Sequence, residues 1–325
     1  MKKALLIGSS FSAMPIMKEL KNSSIEVSVC GSFKKDPCHS YADNSYFIDY
    51  SIKEDLCELV KKNNFDYLVP TCNDASYNSC SWVQQKLGKY FGFDAFSTTE
   101  ILHNKKNFRN YLKRNNLPSP EFENSDLLYI KKRHPLPCIV KPVDSFSGKG
   151  ISLVRKKKEF DFAVEKAIFN SINNNYVVEE YVQGTLHSHS AFIRNKEIIL
   201  DFFVDEFCTV YPYQVDCSNH PSRLDSSIKR KIKDSINFIV KDLNLCDGLI
   251  HTQLIVKNSN FWIIETMRRA PGDLYGYLIE YSSGINYWGK YLNPFINKKT
   301  ENDARHKNDK LIARHTISSN KLISL

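Results

Sequence analysis

The stretch IVKPVDSFSGKGI, residues 139–151, decides the fold that this sequence predicts. A β-branched apolar run ends at Lys141, and eight residues later Lys149 lies within the sequence SGKG at 147–150. The flanking runs, IVKP and ISLVR, are typical of strands, so the small residues between them form a connecting loop. Glycine lets a backbone approach a ligand closely, and successive N–H groups can then bind an anion. A phosphate-binding loop is one interpretation, and a hairpin turn with a solvated lysine is the other; the spacing is not that of a P-loop.

Further segments accompany this loop in a fixed order. A basic helical segment, HNKKNFRNYLKRNNLPSP at 103–120, precedes it, and YVVEEYVQG at 176–184 follows as an apolar strand ending in two carboxylates. LIHTQLIV at 249–256 and FWIIETMRRAPGD at 261–273 are two strands joined by a short turn. In this order the segments resemble the ATP-grasp superfamily of carboxylate–amine ligases. Within it, the chain looks like single-chain relatives of the carbamoyl-phosphate synthase large subunit and of amino-acid ligases, over nearly its whole length.

The composition is that of a globular protein. Of the 325 residues, 42% are hydrophobic and 25% are charged, which is enough for two or three domains. No stretch approaches the roughly 18 apolar residues of a membrane span. The net charge is +9, but the basic runs are separated and match no nucleic-acid module, so neither nucleic acid nor a membrane is a predicted partner. Nine cysteines without C-x-x-C spacing, and no signal peptide, predict free thiols and a cytoplasmic location.

The first hundred residues predict an α/β unit with a parallel sheet, because strands alternate with helices. The first loop lacks G-x-G-x-x-G and no acidic residue ends the second strand, so NAD binding is not predicted. Strands are predicted at 3–8, 25–31, 46–50 and 65–71, and helices at 13–20 and 53–62.

The resemblance implies three units along the chain. Residues 1–100 would form a Rossmann-like pre-ATP-grasp domain. Residues 101–184 would form the small ATP-grasp lobe with the phosphate lid and the adenine hinge. Residues 185–325 would form the large lobe with the metal site and a C-terminal tail, predicted as a terminal helix or partly disordered. The predicted fold class is therefore α/β, a Rossmann-like parallel-sheet domain followed by an ATP-grasp fold of two α+β lobes.

The resemblance also implies which residues bind ATP. Two lysines would contact the phosphates under the loop 145–150, and Lys106 is a neighbour that could substitute for the first of them. At the hinge, a backbone carbonyl would accept from the adenine amine and one N–H would donate to a ring nitrogen. The family's ribose-binding glutamate is missing, because LHSH occupies 186–189, so a histidine or serine would have to replace it. The predicted ATP-binding residues are Lys105, Lys141, Ser147, Gly148, Lys149, Gly150, Glu179, Glu180 and Val182.

The predicted metal site uses hard oxygen ligands, which Mg²⁺ requires. By resemblance, Gln253 and Glu265 would bind Mg²⁺, with Mn²⁺ as an alternative. Met267 stands where the family has an asparagine, and a thioether is a poor ligand for this ion. One ligand must therefore come from elsewhere, or a second metal is held weakly.

Two adjacent arginines follow the metal glutamate. By resemblance, Arg269 would stabilise charge on the transferring phosphoryl group, and Arg268 would bind a substrate carboxylate. Lys149 would share the phosphoryl charge, which completes the predicted catalytic set.

The acceptor pocket is predicted from polar residues outside these motifs. The segment 196–225 is expected to line it, followed by an amphipathic helix at 225–243. Polar strand ends of the N-terminal unit are further candidates, and turn or cap residues are the alternative interpretation of each. The candidates are Ser9, Ser10, Asn73, Asp74, Asp205, Tyr211, Tyr213 and Arg223.

The sequence therefore predicts an ATP-dependent ligase. A substrate carboxylate would be activated as an acyl phosphate with release of ADP, and an amine would then form an amide or peptide-like bond. Two alternatives stay open: a carbamoyl-phosphate synthase-like phosphotransferase and a non-catalytic ATP-binding sensor. The expected partners are a small-molecule carboxylate and amine, and the resemblance implies a homodimer as the default assembly.

Overall fold

The computed structural model describes residues 1–123, 135–145, 148–301 and 309–317, and these residues form three β-sheets. The N-terminal sheet has the order β3-β2-β1-β4 and is parallel throughout, which confirms the predicted parallel-sheet unit. Its strands are Lys3–Ile7 (β1), Glu26–Cys30 (β2), Asn44–Tyr46 (β3) and Tyr67–Pro70 (β4). The surrounding helices are Met14–Asn22 (α1), Cys38–Tyr41 (α2), Lys53–Asn63 (α3) and Asp74–Leu87 (α4).

The strand predicted at 46–50 is wrong in its bounds, because β3 ends at Tyr46. The Asp49 side chain accepts a hydrogen bond from the Ser51 backbone N–H at 2.9 Å, and this local turn competes with strand pairing. The next connection is set by its caps. Asn73 accepts from the Ser76 N–H at 2.8 Å to begin α4, and Gly88 ends that helix in the left-handed conformation.

The second sheet has the order β5-β8-β6-β7 and is antiparallel. The predicted loop between 142 and 152 joins β6 to β7, as expected for a lid carried by two strands. The strands are Phe122–Glu123 (β5), Cys138–Pro142 (β6), Ser152–Val154 (β7) and Tyr176–Glu180 (β8). The accompanying helices are Phe96–His103 (α5), Lys105–Arg114 (α6) and Phe160–Phe169 (α7).

The third sheet is antiparallel, with the order β13-β12-β9-β10-β11-β14. Its strands are Thr185–Arg194 (β9), Glu197–Phe207 (β10), Cys217–His220 (β11), Gly248–Lys257 (β12), Asn260–Met267 (β13) and Ile312–His315 (β14). Its helices are Ser226–Asp242 (α8), Tyr275–Ser283 (α9) and Tyr287–Leu292 (α10). Short 3-10 turns lie at Phe11–Ala13, Lys157–Glu159 and Asn293–Ile296.

Two hydrophobic layers cover opposite faces of this third sheet. On one face, Phe202 and Leu249 join a core that reaches α9, α10 and the N-terminal sheet. On the other, Ala191 and Ile250 pack against the apolar stripe of α8, which confirms the predicted amphipathic helix. Because side chains alternate along a strand, neighbouring residues of β9, β10 and β12 point to different layers. This alternation decides which polar residues reach the cleft.

Within the described residues, the tail predicted from 298 onward contains the edge strand β14, which pairs with β11, rather than a helix. Of the helices in the described ranges, none has the length and apolar content that crossing a membrane requires. All nine cysteines lie within the described residues and are free thiols.

Candidate active site

A buried ionic group connects β6, which leads into the predicted phosphate loop, to β8, which leads to the predicted adenine hinge. Glu179 accepts from Lys141 Nζ at 2.7 Å and from Arg109 Nε at 2.9 Å, and all three side chains are almost fully buried. Burial lowers the pKa of Lys141 to about 8, with Arg109 acting in the same direction and Glu179 opposing. Burial alone would raise the pKa of Glu179, but Arg109 and Lys141 together lower it below its ordinary value. The group thus carries one net positive charge at neutral pH.

Lys105 lies at the N-terminus of α6, where a capping residue fixes its position. Asn104 accepts from the Asn107 backbone N–H at 3.1 Å and is therefore the N-cap of this helix. Lys105 Nζ donates to the carbonyl of Ser145 at 2.6 Å. Lys105, the first of the two lysines predicted to bind phosphate, therefore contacts the beginning of the predicted lid.

The lid is packed against the loop between β10 and β11. Gly148 has φ +72°, and a Cβ built there would lie 2.9 Å from the carbonyl oxygen of Tyr213. Gly150 has φ +76°, and its Cβ would lie 2.7 Å from Pro142 and Asn170 atoms. Both glycines are therefore required by conformation and by space. Lys149 is exposed between them, and the predicted site residue Ser147 lies outside the described residues.

At the predicted adenine hinge, the side chain of Glu179 points into the protein, whereas the described residues leave the backbone N–H of Val182 available for a ligand. The side chain of Glu179 points into the ionic group described above, and β8 is paired on both sides at this residue, with Phe122 and Ile139. The Glu180 N–H donates to Glu121 at 2.7 Å. The Val182 N–H follows the end of the strand and meets no hydrogen-bond acceptor among the described residues. This free donor lies where the sequence predicted the contact to adenine.

Gln253 and Glu265 face each other across β12 and β13. Both side chains are partly exposed, and the Glu265 carboxylate makes no hydrogen bond or ion pair with any described residue. Such an oxygen pair fits Mg²⁺. Met267 lines the same cavity as Glu265, but its thioether is a poor ligand for Mg²⁺. No three His, Cys, Asp or Glu side chains in the described ranges are grouped so as to hold a metal without other ligands.

A second acidic residue, Glu206 on β10, lies beside this pair and was not predicted. Its Oε2 accepts from Gln253 Nε2 at 3.2 Å, and its side chain is 5% exposed. Burial raises the pKa of Glu206 to about 7, and the carboxylates of Asp273 and Glu265 act in the same direction.

The two adjacent arginines have different environments. Arg269 Nε donates to Asp74 Oδ1 at 2.9 Å, and this ion pair remains partly exposed. Asp74, Lys105 and Glu265 line one narrow cavity beside it. The structure therefore brings together Lys105, predicted to bind phosphate, and Glu265, predicted to bind the metal. Asp74, the ion-pair partner of Arg269, lies in the same cavity.

Arg268 turns the other way, so the predicted contact with a substrate carboxylate is wrong. Its guanidinium donates to Asp94 at 2.6 Å and to the backbone carbonyls of Leu249 and Cys246 at 2.5 and 2.7 Å. The side chain is 2% exposed. Successive residues at a strand end point in opposite directions, and Arg268 takes the interior one.

The predicted acceptor residues of 196–225 are divided between the two sides of the sheet. Asp205 accepts from His187 at 2.9 Å on the face covered by α8, and the Arg223 N–H also donates to it. Arg223 and Thr185 line part of a separate cavity of about 380 Å³. Asp205 and Arg223 therefore do not face the Gln253–Glu265 pair, and the segment begins with a strand rather than a pocket loop. Tyr213 stays beside the lid.

The prediction that a histidine replaces the ribose-binding glutamate is also wrong, because both histidines point away from the cleft. Leu186 pairs with Ile255 on the cleft face, whereas His187 and His189 point to the α8 side. The Ser188 hydroxyl lies 3.0 Å from the Tyr275 hydroxyl.

Comparison with known proteins agrees with this geometry. A family model described as an ATP-grasp domain matches residues 134–275. That part of the chain is therefore similar to ATP-grasp domains. The chain is 27% identical over 306 residues to formate-dependent phosphoribosylglycinamide formyltransferase from Prochlorococcus marinus, covering 91% of this chain and 76% of that protein.

Solved structures confirm the ATP-grasp fold. Phosphoribosylglycinamide synthetase from Anaerococcus prevotii superposes with a TM-score of 0.78 at 19% identity, covering 98% of this chain and 82% of that one. L-amino acid ligase from Bacillus licheniformis superposes with a TM-score of 0.76 at 20% identity, covering 91% of this chain and 74% of that one.

Sequence reasoning missed the residues that support the site from a distance. Arg109, Asp94 and Glu206 are all buried and charged. Arg109 follows Lys105 by four residues on α6, so helical spacing could have indicated that it shares the same face. Glu206 had no such signal, because its contact crosses the sheet.

Proposed function

We propose that this protein is an ATP-dependent carboxylate–amine ligase. A carboxylate oxygen attacks the γ-phosphorus of ATP, the bond to the ADP oxygen breaks, and an acyl phosphate forms. The amine nitrogen then attacks the acyl carbon, phosphate leaves, and the nitrogen loses a proton to give the amide. The observation that carries this proposal is the narrow cavity that Asp74, Lys105 and Glu265 share beside Arg269.

The chain's residues would contribute mainly position and charge. Lys105 and Lys141 would neutralise the phosphates, and the lid residues Gly148, Lys149 and Gly150, together with Ser147, would cover them.

The adenine ring would bind at the hinge. The Val182 N–H would donate to it and the Glu180 carbonyl would accept from it.

Gln253 and Glu265 would hold Mg²⁺, which when bound neutralises charge on the phosphates. Arg269, oriented by Asp74, would stabilise the transferring phosphoryl group through its remaining N–H donors.

The wider assignments rest on the same proposal. We infer three functional units at 1–100, 101–184 and 185–325, each built around one of the three sheets. The free thiols support a reducing cytoplasmic compartment. The substrates would be a small carboxylic acid and a small amine. The protein itself would form a homodimer. The formyltransferase and ligase names of the relatives support this chemical class.

The test is magnesium-dependent release of ADP and phosphate from ATP with pooled amino acids and small carboxylic acids. Glu265→Gln should abolish pool-dependent turnover, whereas Glu197→Gln, an exposed carboxylate at the far end of β10, should retain it. Turnover that is equal in wild type and Glu265→Gln would reject the site. ATP binding without turnover in any pool would favour the sensor alternative, and acyl phosphate formation without an organic acid would favour the carbamoyl-phosphate alternative.

A further inference from the structure

The proposed metal pair contains a single carboxylate. Gln253 is neutral and Met267 provides no oxygen, so Glu265 is the single charged ligand of the motif. Mg²⁺ is a hard cation whose protein ligands are commonly carboxylates. A compensating charge should therefore lie close to the glutamine.

Glu206 is placed to supply that charge. It lies on β10, two strands away from β12, and points to the same face as Gln253. Its neighbours along that face, Phe202 and Val204, belong to the buried core, so the carboxylate has little freedom to move.

The contact between them also fixes the orientation of the glutamine amide. Gln253 Nε2 donates to Glu206 Oε2 at 3.2 Å, so the amide nitrogen is the atom that faces Glu206. The amide is planar, and its oxygen therefore points away from Glu206. A glutamine can bind a hard cation only through that oxygen.

We propose that Glu206 is a positioning residue for the metal site. It holds the amide of Gln253 so that Oε1 is presented beside the Glu265 carboxylate, and in its ionised form it adds the negative charge that a glutamine lacks. Groups that orient metal ligands in this way commonly change metal affinity about 10- to 100-fold when they are removed. This inference rests on the proposed function, because it requires that Gln253 and Glu265 bind the metal.

The other nearby charges do not provide an equivalent. Asp273 forms an ion pair with Arg314, and Arg269 forms one with Asp74. Among the described residues, Glu206 is therefore the carboxylate in direct hydrogen-bond contact with a proposed ligand.

The test measures direct binding of Mn²⁺ in the presence of a non-hydrolysable ATP analogue. The electron paramagnetic resonance signal of free Mn²⁺ reports how much of the ion is bound. Glu206→Gln removes the charge and keeps an acceptor, whereas Glu206→Met removes both. We expect at least 10-fold weaker Mn²⁺ binding in Glu206→Gln and a larger loss in Glu206→Met. The exchanged double variant Glu206→Gln/Gln253→Glu moves the carboxylate to the ligand position, and it should recover affinity to within about threefold of wild type.

Thermal unfolding of each variant separates an effect on metal binding from an effect on folding. Recovery of Mn²⁺ affinity in the exchanged variant is a second control, because a merely structural role of Glu206 would not produce it. Unchanged affinity in Glu206→Gln and Glu206→Met, or no recovery in the exchanged variant, would overturn the inference while leaving the ligase proposal intact. A crystal structure with Mn²⁺ bonded directly to Glu206 would also overturn it. If wild type and Glu265→Gln bind Mn²⁺ equally, the proposed metal site itself is wrong.

Discussion

Replacing Gly148 with alanine should weaken nucleotide binding by preventing the lid from closing. The new Cβ would lie 2.9 Å from the Tyr213 carbonyl oxygen and 3.1 Å from its carbonyl carbon. These are backbone atoms, so they cannot rotate aside as a flexible side chain could. Overpacking of this kind costs about 1–3 kcal/mol. If the cost falls on the closed lid alone, affinity for the nucleotide should fall roughly 5- to 150-fold.

Gly88 provides a matched control for the backbone conformation. It also has a positive φ, +64°, but no atom lies within 4 Å of its Cβ position. Gly88→Ala should therefore lose about 1–2 kcal/mol of unfolding free energy and retain normal affinity. The assay is calorimetric titration of both variants with a magnesium complex of a non-hydrolysable ATP analogue, alongside thermal unfolding. Equal affinities for wild type and Gly148→Ala would refute the argument that the lid closes against Tyr213.

Two further predictions use the buried charges. Arg268→Met should cost about 3–5 kcal/mol of unfolding free energy because it leaves Asp94 unpaired, whereas Arg269→Met should mainly reduce turnover; similar melting temperatures for the two variants would contradict this. Affinity for the ATP analogue should be constant below pH 8 and fall by up to about tenfold per pH unit above it, because Lys141 then loses its proton and its attraction for phosphate. Titrations in the Lys141→Met variant should show no such fall, and a flat wild-type profile to pH 9.5 would reject the role of Lys141.

The sequence predicted the parts of this protein that depend on local order along the chain. The parallel N-terminal sheet, the two strands around the lid and the apolar stripe of α8 all follow from short-range periodicity. It did not predict β10, whose sequence is EIILDFFVDEF. Acidic residues interrupt the apolar residues of this strand, and the partners of those acidic residues lie on other strands. Gln253 becomes the partner of Glu206 only after β9 has been inserted between their strands.

The difference between Arg268 and Arg269 has the same origin. Both follow the metal strand, and residue type alone cannot say which one points inward. The choice depends on Asp94 and Asp74, which lie more than 170 residues away in sequence. Motif spacing predicted that an arginine at this place contacts the phosphoryl group, but which of the two neighbours points inward depends on tertiary structure.

The ionic group of Arg109, Lys141 and Glu179 explains why the phosphate and adenine contacts should act together. Glu179 belongs to the hinge strand, Lys141 to the strand that leads into the lid, and Arg109 to the helix that begins with Lys105. Arg109 also donates to the carbonyl of Ile264, next to Glu265, at 2.6 Å. One buried carboxylate thus connects β8, β6 and α6, and Arg109 of α6 in turn contacts β13. Removing Glu179 would leave two buried cations together, so its loss should disturb adenine and phosphate binding at once rather than either one alone.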